Sequence, residues 1–327
     1  MKKVILLLAL IVAVYSMPVY SQIMKKVGQT GLQFLKVDVG ARAAAMGGSY
    51  IMVGNDATAM FYNPAGIAFV KNNVDFFVGR TNWIAGISYN AGGIVKNFGG
   101  WGNIGISFIA SDYGEIFGTR VSKSELGFEE TENLKAGAYA IGLSYAKALT
   151  NKFTVGGQIK YANQNLSESI LSAGAASIQN KVSGLAYDFG TIFYPGFKSF
   201  RLGMSIRNFS SEFKYQKEGF QLPLTFMVGF AMDVLDFWGE HTNSLLVSVD
   251  AVHPRDYTER IHVGGEYCLM NMFALRAGYK FNYDVENFSG GIGFKHNFGK
   301  IKCEIGYSYS LFKVFDDVNR MSFEIGF

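Results

Sequence analysis

Charge is scarce in this sequence. Aspartate, glutamate, lysine and arginine make up 17% of its 327 residues, where an ordinary soluble domain carries about 25%. Proline is scarcer still, at 5, which argues against long disordered tracts. Cysteine appears twice, as Cys268 and Cys303, with no metal or redox spacing between them, so both are expected to be free. Beyond residue 14 no apolar run reaches the ~18 residues that a membrane helix needs. Basic residues are scattered and the net charge is only +4. The clustered stripe used to bind nucleic acid is missing, and no nucleic-acid partner is expected. A chain this poor in charge is neither an ordinary cytosolic enzyme nor a helical membrane protein.

Glycine and aromatics are abundant: 39 Gly, 29 Phe and 18 Tyr, against about 7% glycine in average usage. From about residue 73 to the end they alternate along the chain, the pattern of strands buried on one face. Ile301, Cys303, Ile305, Tyr307, Tyr309 and Leu311 share one parity; Lys302, Glu304, Gly306, Ser308 and Ser310 share the other. Phe273, Leu275, Ala277, Tyr279, Phe281 and Tyr283 form a second such face, and Leu222, Leu224, Phe226, Val228, Phe230 and Met232 a third. Segments of this kind predict about fourteen strands, long enough for the ~9–11 residues that cross a bilayer in a barrel. The expected fold class is all-β: a transmembrane antiparallel β-barrel with its apolar parity toward lipid. On that facing, Gly278→Arg in the lumen is expected to be tolerated better than Leu275→Arg on the lipid side.

Connection lengths support the barrel. Short joins fall at 149–152, 195–199, 270–272 and 297–300; long ones fall at 111–135, 164–181, 208–221 and 253–259, all of one parity. Outer-membrane barrels have short periplasmic turns and long extracellular loops, so both termini are expected in the periplasm. Residues 1–3 and 4–14 read as the basic and apolar regions of an export signal, with cleavage before Gln22. The expected organisation is a signal peptide at 1–21, a periplasmic or plug segment at 22–72 and the barrel at 73–327. Within the long loops, 164–180 is expected to form a short amphipathic surface helix. Trp83, Trp101 and Trp238 lie near strand ends, as interfacial anchors do.

Residues 40–70, GARAAAMGGSYIMVGNDATAMFYNPAGIAFV, break the alternation. Ala43–Ala45, Gly47 and Gly48 permit close backbone approach. Asn55 or Asp56 can cap a short helical turn, and Asn63-Pro64 ends it. Such a segment can fold into the barrel mouth as a plug.

This stretch resembles the PorV/PorQ family, a branch of the FadL-like superfamily of outer-membrane barrels. Gly40, Arg42, Met46, Gly47, Gly48, Asn63, Pro64, Ala65 and Gly66 carry the resemblance. It continues in VDAVHP at 249–254, HVGGEY at 262–267 and ALRAGY at 274–279. It implies a fourteen-stranded barrel with an N-terminal plug. It further implies, from the members that act in type IX secretion, a barrel that receives exported proteins from a secretion translocon and passes them on. FadL-like transport of small hydrophobic molecules is the alternative.

If the plug is buried, Arg42 needs a carboxylate, because an unpaired buried charge is costly. Asp250 and Glu266, inward on neighbouring strands, are candidates, and His253 and Arg276 are further candidate lumen contacts. Asn63 is expected to bond nearby backbone. No nucleophile elbow, zinc motif or phosphate loop is present, so no catalytic residue, metal or cofactor is expected. The chain ends on an alternating strand with Phe323 and the terminal Phe327, similar to the signal read by the barrel-insertion machinery. Outer-membrane lipid is the remaining expected partner.

Overall fold

The computed structural model describes residues 28–170, 176–239 and 242–327. The export signal expected at 1–21 lies outside them. Among the described residues fourteen strands close into one antiparallel barrel. They are β1 Val74–Asn82, β2 Ser88–Asn97, β3 Asn103–Asp112, β4 Gly137–Thr150, β5 Phe153–Ser169, β6 Ile178–Phe193 and β7 Arg201–Phe209. The circuit continues through β8 Thr225–Asp233, β9 Ser244–Pro254, β10 Arg260–Leu269, β11 Phe273–Phe281, β12 Glu286–Phe298, β13 Ile301–Phe312 and β14 Val318–Gly326. Each pairs with its neighbours in sequence, and β14 pairs with β1 from Asp75↔Gly326 to Asn82↔Asn319. The terminal residue helps close this seam, because Phe327 and Val74 exchange both backbone hydrogen bonds at 2.9 Å. Closure removes every free edge, the condition for a sheet to sit in lipid.

The parity read from the sequence fixes the facing. On β4, Tyr139, Ile141, Leu143 and Tyr145 are exposed while Ala138, Ala140, Gly142 and Ser144 point inward. The pattern slips at strand ends. Leu222 precedes β8 and is fully buried, and Tyr283 turns back toward the lumen after Asn282 takes φ 63°. Cys268 is buried, Cys303 is half-buried and both are free.

One loop differs from expectation. Residues 164–169 extend β5 and 178–180 begin β6, so no surface helix occupies those positions; 171–175 lie outside the described residues. The loop between β3 and β4 carries a small ribbon pairing Thr119–Val121 with Phe128–Glu130. Trp101 and Trp238 are 83% and 68% exposed at turns, as interfacial anchors are. Trp83 instead packs its ring on Tyr89 and Phe312 inside the loop end.

The segment before β1 fills the lumen. It contains a 3-10 turn at Gln33–Lys36, the helix α1 at Ala41–Ala45, and 3-10 turns at Ala57–Phe61 and Pro64–Phe69. Five residues are too few for an isolated helix even when alanine-rich, so α1 depends on the wall around it. Residues 40–54 are buried throughout, and their apolar side chains merge with inward residues of the strands into two cores. The segment does not start at the periplasmic end. Thr30 and Lys36 bond Asp256 in the β9–β10 loop, and Gly31 bonds Gln221 in the β7–β8 loop. The first described residues therefore sit at the loop end, and the chain runs down the lumen to enter β1 at the turn end. The expected periplasmic N-terminus is corrected to that extent.

Candidate functional site

The plug sits in two seats made of glycine. Beneath α1, the inward positions Gly264, Gly278, Gly291 and Gly306 lie on the four adjacent strands β10–β13. A Cβ on Gly278 would stand 2.1 Å from the Gly47 nitrogen, one on Gly264 2.4 Å from the Met46 carbonyl oxygen, and one on Gly291 2.7 Å from the Ala45 Cβ. Backbone meets backbone here, and only a missing side chain allows it. Gly47 and Gly48 follow α1 with φ of 65° and 71°, in the left-handed region that terminates helices. The expected tolerance of Gly278→Arg is thus overturned: the position does face the lumen, but the lumen is occupied there.

The second seat holds Asn63-Pro64-Ala65. Gly156 on β5 and Gly190 on β6 are register partners. A Cβ on Gly156 would stand 2.5 Å from the Ala65 nitrogen, and one on Gly190 would overlap the Asn63 side-chain oxygen. Asn63 Oδ1 accepts from the Ala65 N–H at 3.1 Å and starts the turn Pro64–Phe69, with Pro64 in its first position. Its amide nitrogen donates to the Ile51 carbonyl at 3.0 Å and the Thr191 carbonyl at 3.3 Å. One side chain thereby ties two parts of the plug to the wall. Gly66 is equally confined, by the Gly54 carbonyl.

On the turn side of the first seat, on the same strands β10–β13, lies a buried ionic network. Arg42 of α1 donates from Nε to Glu266 Oε2 at 2.9 Å and from Nη2 to Oε1 at 2.7 Å. Glu266 also accepts from Arg276 Nε at 2.6 Å, and Arg276 in turn pairs with Glu304. Lys295 stands 3.5 Å from Glu266 and 3.8 Å from Glu304; Asp56 approaches Arg42 at 3.5 Å. Three cations and three carboxylates thus stand within 4 Å of an opposite charge, the pairing that buried charge requires. Asp56 also caps the turn Ala57–Phe61 by accepting from the Thr58 N–H.

Arg42, Glu266 and Arg276 are therefore brought together, while the other candidates are not. Asp250, fully buried, accepts from the Tyr50 and Ile51 N–H groups at 2.8 and 3.2 Å and holds the start of the turn at Tyr50–Gly54. Beside it Ser49 and Ser248 share a 3.0 Å hydrogen bond. His253 is corrected as a lumen contact: it points outward, exposed, and stands 3.2 Å from Glu259. Phe323 faces outward on β14, and Phe327 is exposed at the turn end.

Charges that the sequence reading passed over anchor the plug's outer part. Lys36 and Asp256 pair at 2.9 Å, with Thr30 and Gln33 also donating to Asp256. Burial alone would raise the Asp256 carboxyl. The Lys36 hydrogen bond and charge outweigh it and hold the group below its ordinary value. For Lys36 the burial dominates and its ammonium is pushed down. Lys280 bonds both Asp38 and Glu286 at 2.7 Å. Arg260 is stacked between the rings of Tyr257 and Tyr283, 4.1 and 3.9 Å from their centroids. Lys36, Asp38, Arg260, Lys280, Tyr283 and Glu286 line a cavity of about 260 Å³ in the outer half of the lumen.

Solved structures share this architecture. The chain is similar to the Ralstonia pickettii toluene transporter TbuX at 14% identity, over 88% of this chain and 98% of that one, with a TM-score of 0.60. The Pseudomonas putida toluene transporter TodX matches at 15% identity over 88% and 96%, TM-score 0.58. A Pseudomonas aeruginosa FadL homologue matches at 12% over 88% and 98%, TM-score 0.55. At these identities the likeness is one of fold. No curated protein sequence matches the chain. The family profile described as "Type IX secretion system protein PorV" matches residues 20–253, which include the whole plug and its second seat but not the β10–β13 glycines of the first. With the closed fourteen-stranded barrel beside it, that match places the chain, as an outer-membrane protein, in the PorV family of type IX secretion system proteins.

Proposed function

We propose that the chain is a docking barrel of type IX secretion. It binds exported proteins at the cell surface, in company with the secretion translocon, and does so with its lumen closed. The observation that supports this most is the plug itself. Described residues from Thr30 at the loop end to Asn72 at the turn end occupy the lumen, held by the Lys36–Asp256 and Arg42–Glu266 pairs and by Asn63. A polypeptide threading this barrel would first have to break all three. Arg42, with Glu266 and Arg276, acts in this reading as a structural latch rather than as a ligand site.

The docking surface is then outside the lumen. The β3–β4 loop rises beyond the wall with Phe117, Val121, Leu126 and Phe128 at 76, 68, 77 and 45% exposure. Apolar side chains this open, above the membrane and ringed by Glu115, Glu125, Glu129, Glu130 and Glu132, suit a protein partner. FadL-like passage of small hydrophobic molecules has less support. Lys36, Arg207, Arg260, Lys280, Asp38 and Glu286 all line the outer cavity, a poor environment for an uncharged apolar solute. The same reading takes residues 1–21 as the export signal and the end of β14, with Phe323 and Phe327, as the segment met by the barrel-insertion machinery.

Affinity purification of the tagged chain from outer membranes tests this. A large translocon protein, together with exported proteins sharing a C-terminal domain, should co-purify. Recovery of a bound small hydrophobic molecule with no protein partner would contradict it.

A further inference from the structure

The lipid-facing wall carries a feature that neither plug nor docking loop uses. At the loop end of β3, β4 and β5 lies a shallow groove of about 640 Å³. Its floor is apolar, made by Phe108, Tyr139 and Ile141, and its rim is polar, made by Lys135, Asn163 and Lys181. The rim falls at a sharp border. Along the outward parity of β6, Leu185 and Phe189 give way to Ser183 and Lys181; along that of β5, Ile159 and Tyr161 give way to Asn163 and Asn165. That is the change expected where hydrocarbon meets headgroups.

Two observations show that the rim is incomplete as it stands. Neither ammonium, on Lys135 or on Lys181, has an ion-pair or hydrogen-bond partner among the described residues. Asn163 is only 4% exposed, and its amide nitrogen makes no hydrogen bond among them. An unsatisfied buried donor is costly, while a lysine that lies along an apolar surface with its head at the interface is favourably placed for a headgroup phosphate.

We propose that this groove binds a membrane lipid with a phosphorylated, anionic headgroup from the outer leaflet. An acyl chain lies over Phe108, Tyr139 and Ile141, and a phosphate sits between Lys135 and Lys181. The wall position, the apolar floor and the two unpaired cations together favour a lipid over a soluble anion. A shallow groove level with the bilayer also favours it over a protein.

The test compares the purified full chain with Lys135→Gln/Lys181→Gln, both at exposed positions remote from plug and seam. Native mass spectrometry follows binding of lipid A carrying its two phosphates, of dephosphorylated lipid A and of inorganic phosphate. The wild type should retain the phosphorylated lipid, and the double variant should bind it about thirty-fold more weakly. Equal binding by the variant, equal binding of the dephosphorylated lipid, or competition by millimolar phosphate alone would overturn the proposal. A photo-crosslinking residue at Ile141 adds a readout independent of affinity. In whole cells its adduct should be lipid; a protein-sized adduct would assign the groove to a partner protein instead.

Discussion

Arg42 and Glu266, separated by 224 residues in sequence, meet through two parallel hydrogen bonds of 2.9 and 2.7 Å inside the barrel. Paired in this way, both charges are satisfied; parted, each is a buried ion in a protein-filled lumen. Replacing Arg42 by Met should destabilise the folded protein by about 3–5 kcal/mol, because Glu266 then keeps only Arg276 and Lys295. The loss should be read as faster hydrogen exchange across 40–62 with the strands still protected. Urea unfolding of the detergent-folded barrel should give its size.

Gly278→Ala should be more harmful than its single methyl suggests, since that methyl would fall 2.1 Å from the Gly47 nitrogen. Gly290, one strand over and outward, would place a Cβ no nearer than 3.6 Å to any atom, so Gly290→Ala should be almost neutral. Leu275→Arg should cost about 2–4 kcal/mol if it lies near mid-bilayer. Folding titrations of the three variants side by side check the ordering.

The fold was largely legible from alternation, and the reason is physical. Each strand of a barrel separates lipid from lumen, so its parity is written locally in residues two apart. What fills the lumen is not written that way. Lys36 finds Asp256 across 220 residues and Lys280 finds Asp38 across 242, and no window of sequence holds either pair. Gly278 was legible as inward, yet the backbone pressed on it was not. Strand ends were the other weak point. Tyr283 continues the apolar parity in sequence, but Asn282 turns the chain in the left-handed region, and a side chain beyond such a turn no longer obeys it. His253 failed for a simpler reason: its parity points outward, and only its motif suggested the lumen.

Asn63 is expected to tolerate neither alanine nor aspartate. Alanine removes the turn cap and leaves the Ile51 and Thr191 carbonyls without their donor, at about 2–4 kcal/mol. Aspartate keeps the cap but sets a carboxylate against those two carbonyls. Asn63→Asp should therefore be the worse variant at pH 7 and recover part of the difference in acid, where a protonated carboxyl can donate. Thermal unfolding at pH 7 and pH 4 distinguishes the two.

The outer clasp should open in acid. Asp256 is held below its ordinary value, so its contribution is complete above the unfolded carboxylate pKa of about 3.9 and disappears as pH falls through the lower folded value. Exchange at the amides of residues 31–36 should be unchanged between pH 7 and pH 5, after correction for intrinsic rates, and should rise below about pH 4. Asp256→Asn should show the fast rate throughout. A rise beginning near pH 6 would show that another group governs the clasp.

In the proposed role the barrel serves secretion with its plug seated. Ser49 of the plug and Ser248 of β9 already touch through a 3.0 Å hydrogen bond. Cysteines placed at both positions, in a background lacking Cys268 and Cys303, would lock plug to wall in the oxidising environment of the cell surface. Secretion of exported proteins by cells carrying the locked barrel, measured with and without reductant, is the decisive comparison. Secretion should be the same in both states. Secretion that stops on locking and returns on reduction would mean that the plug must move, and would contradict that role.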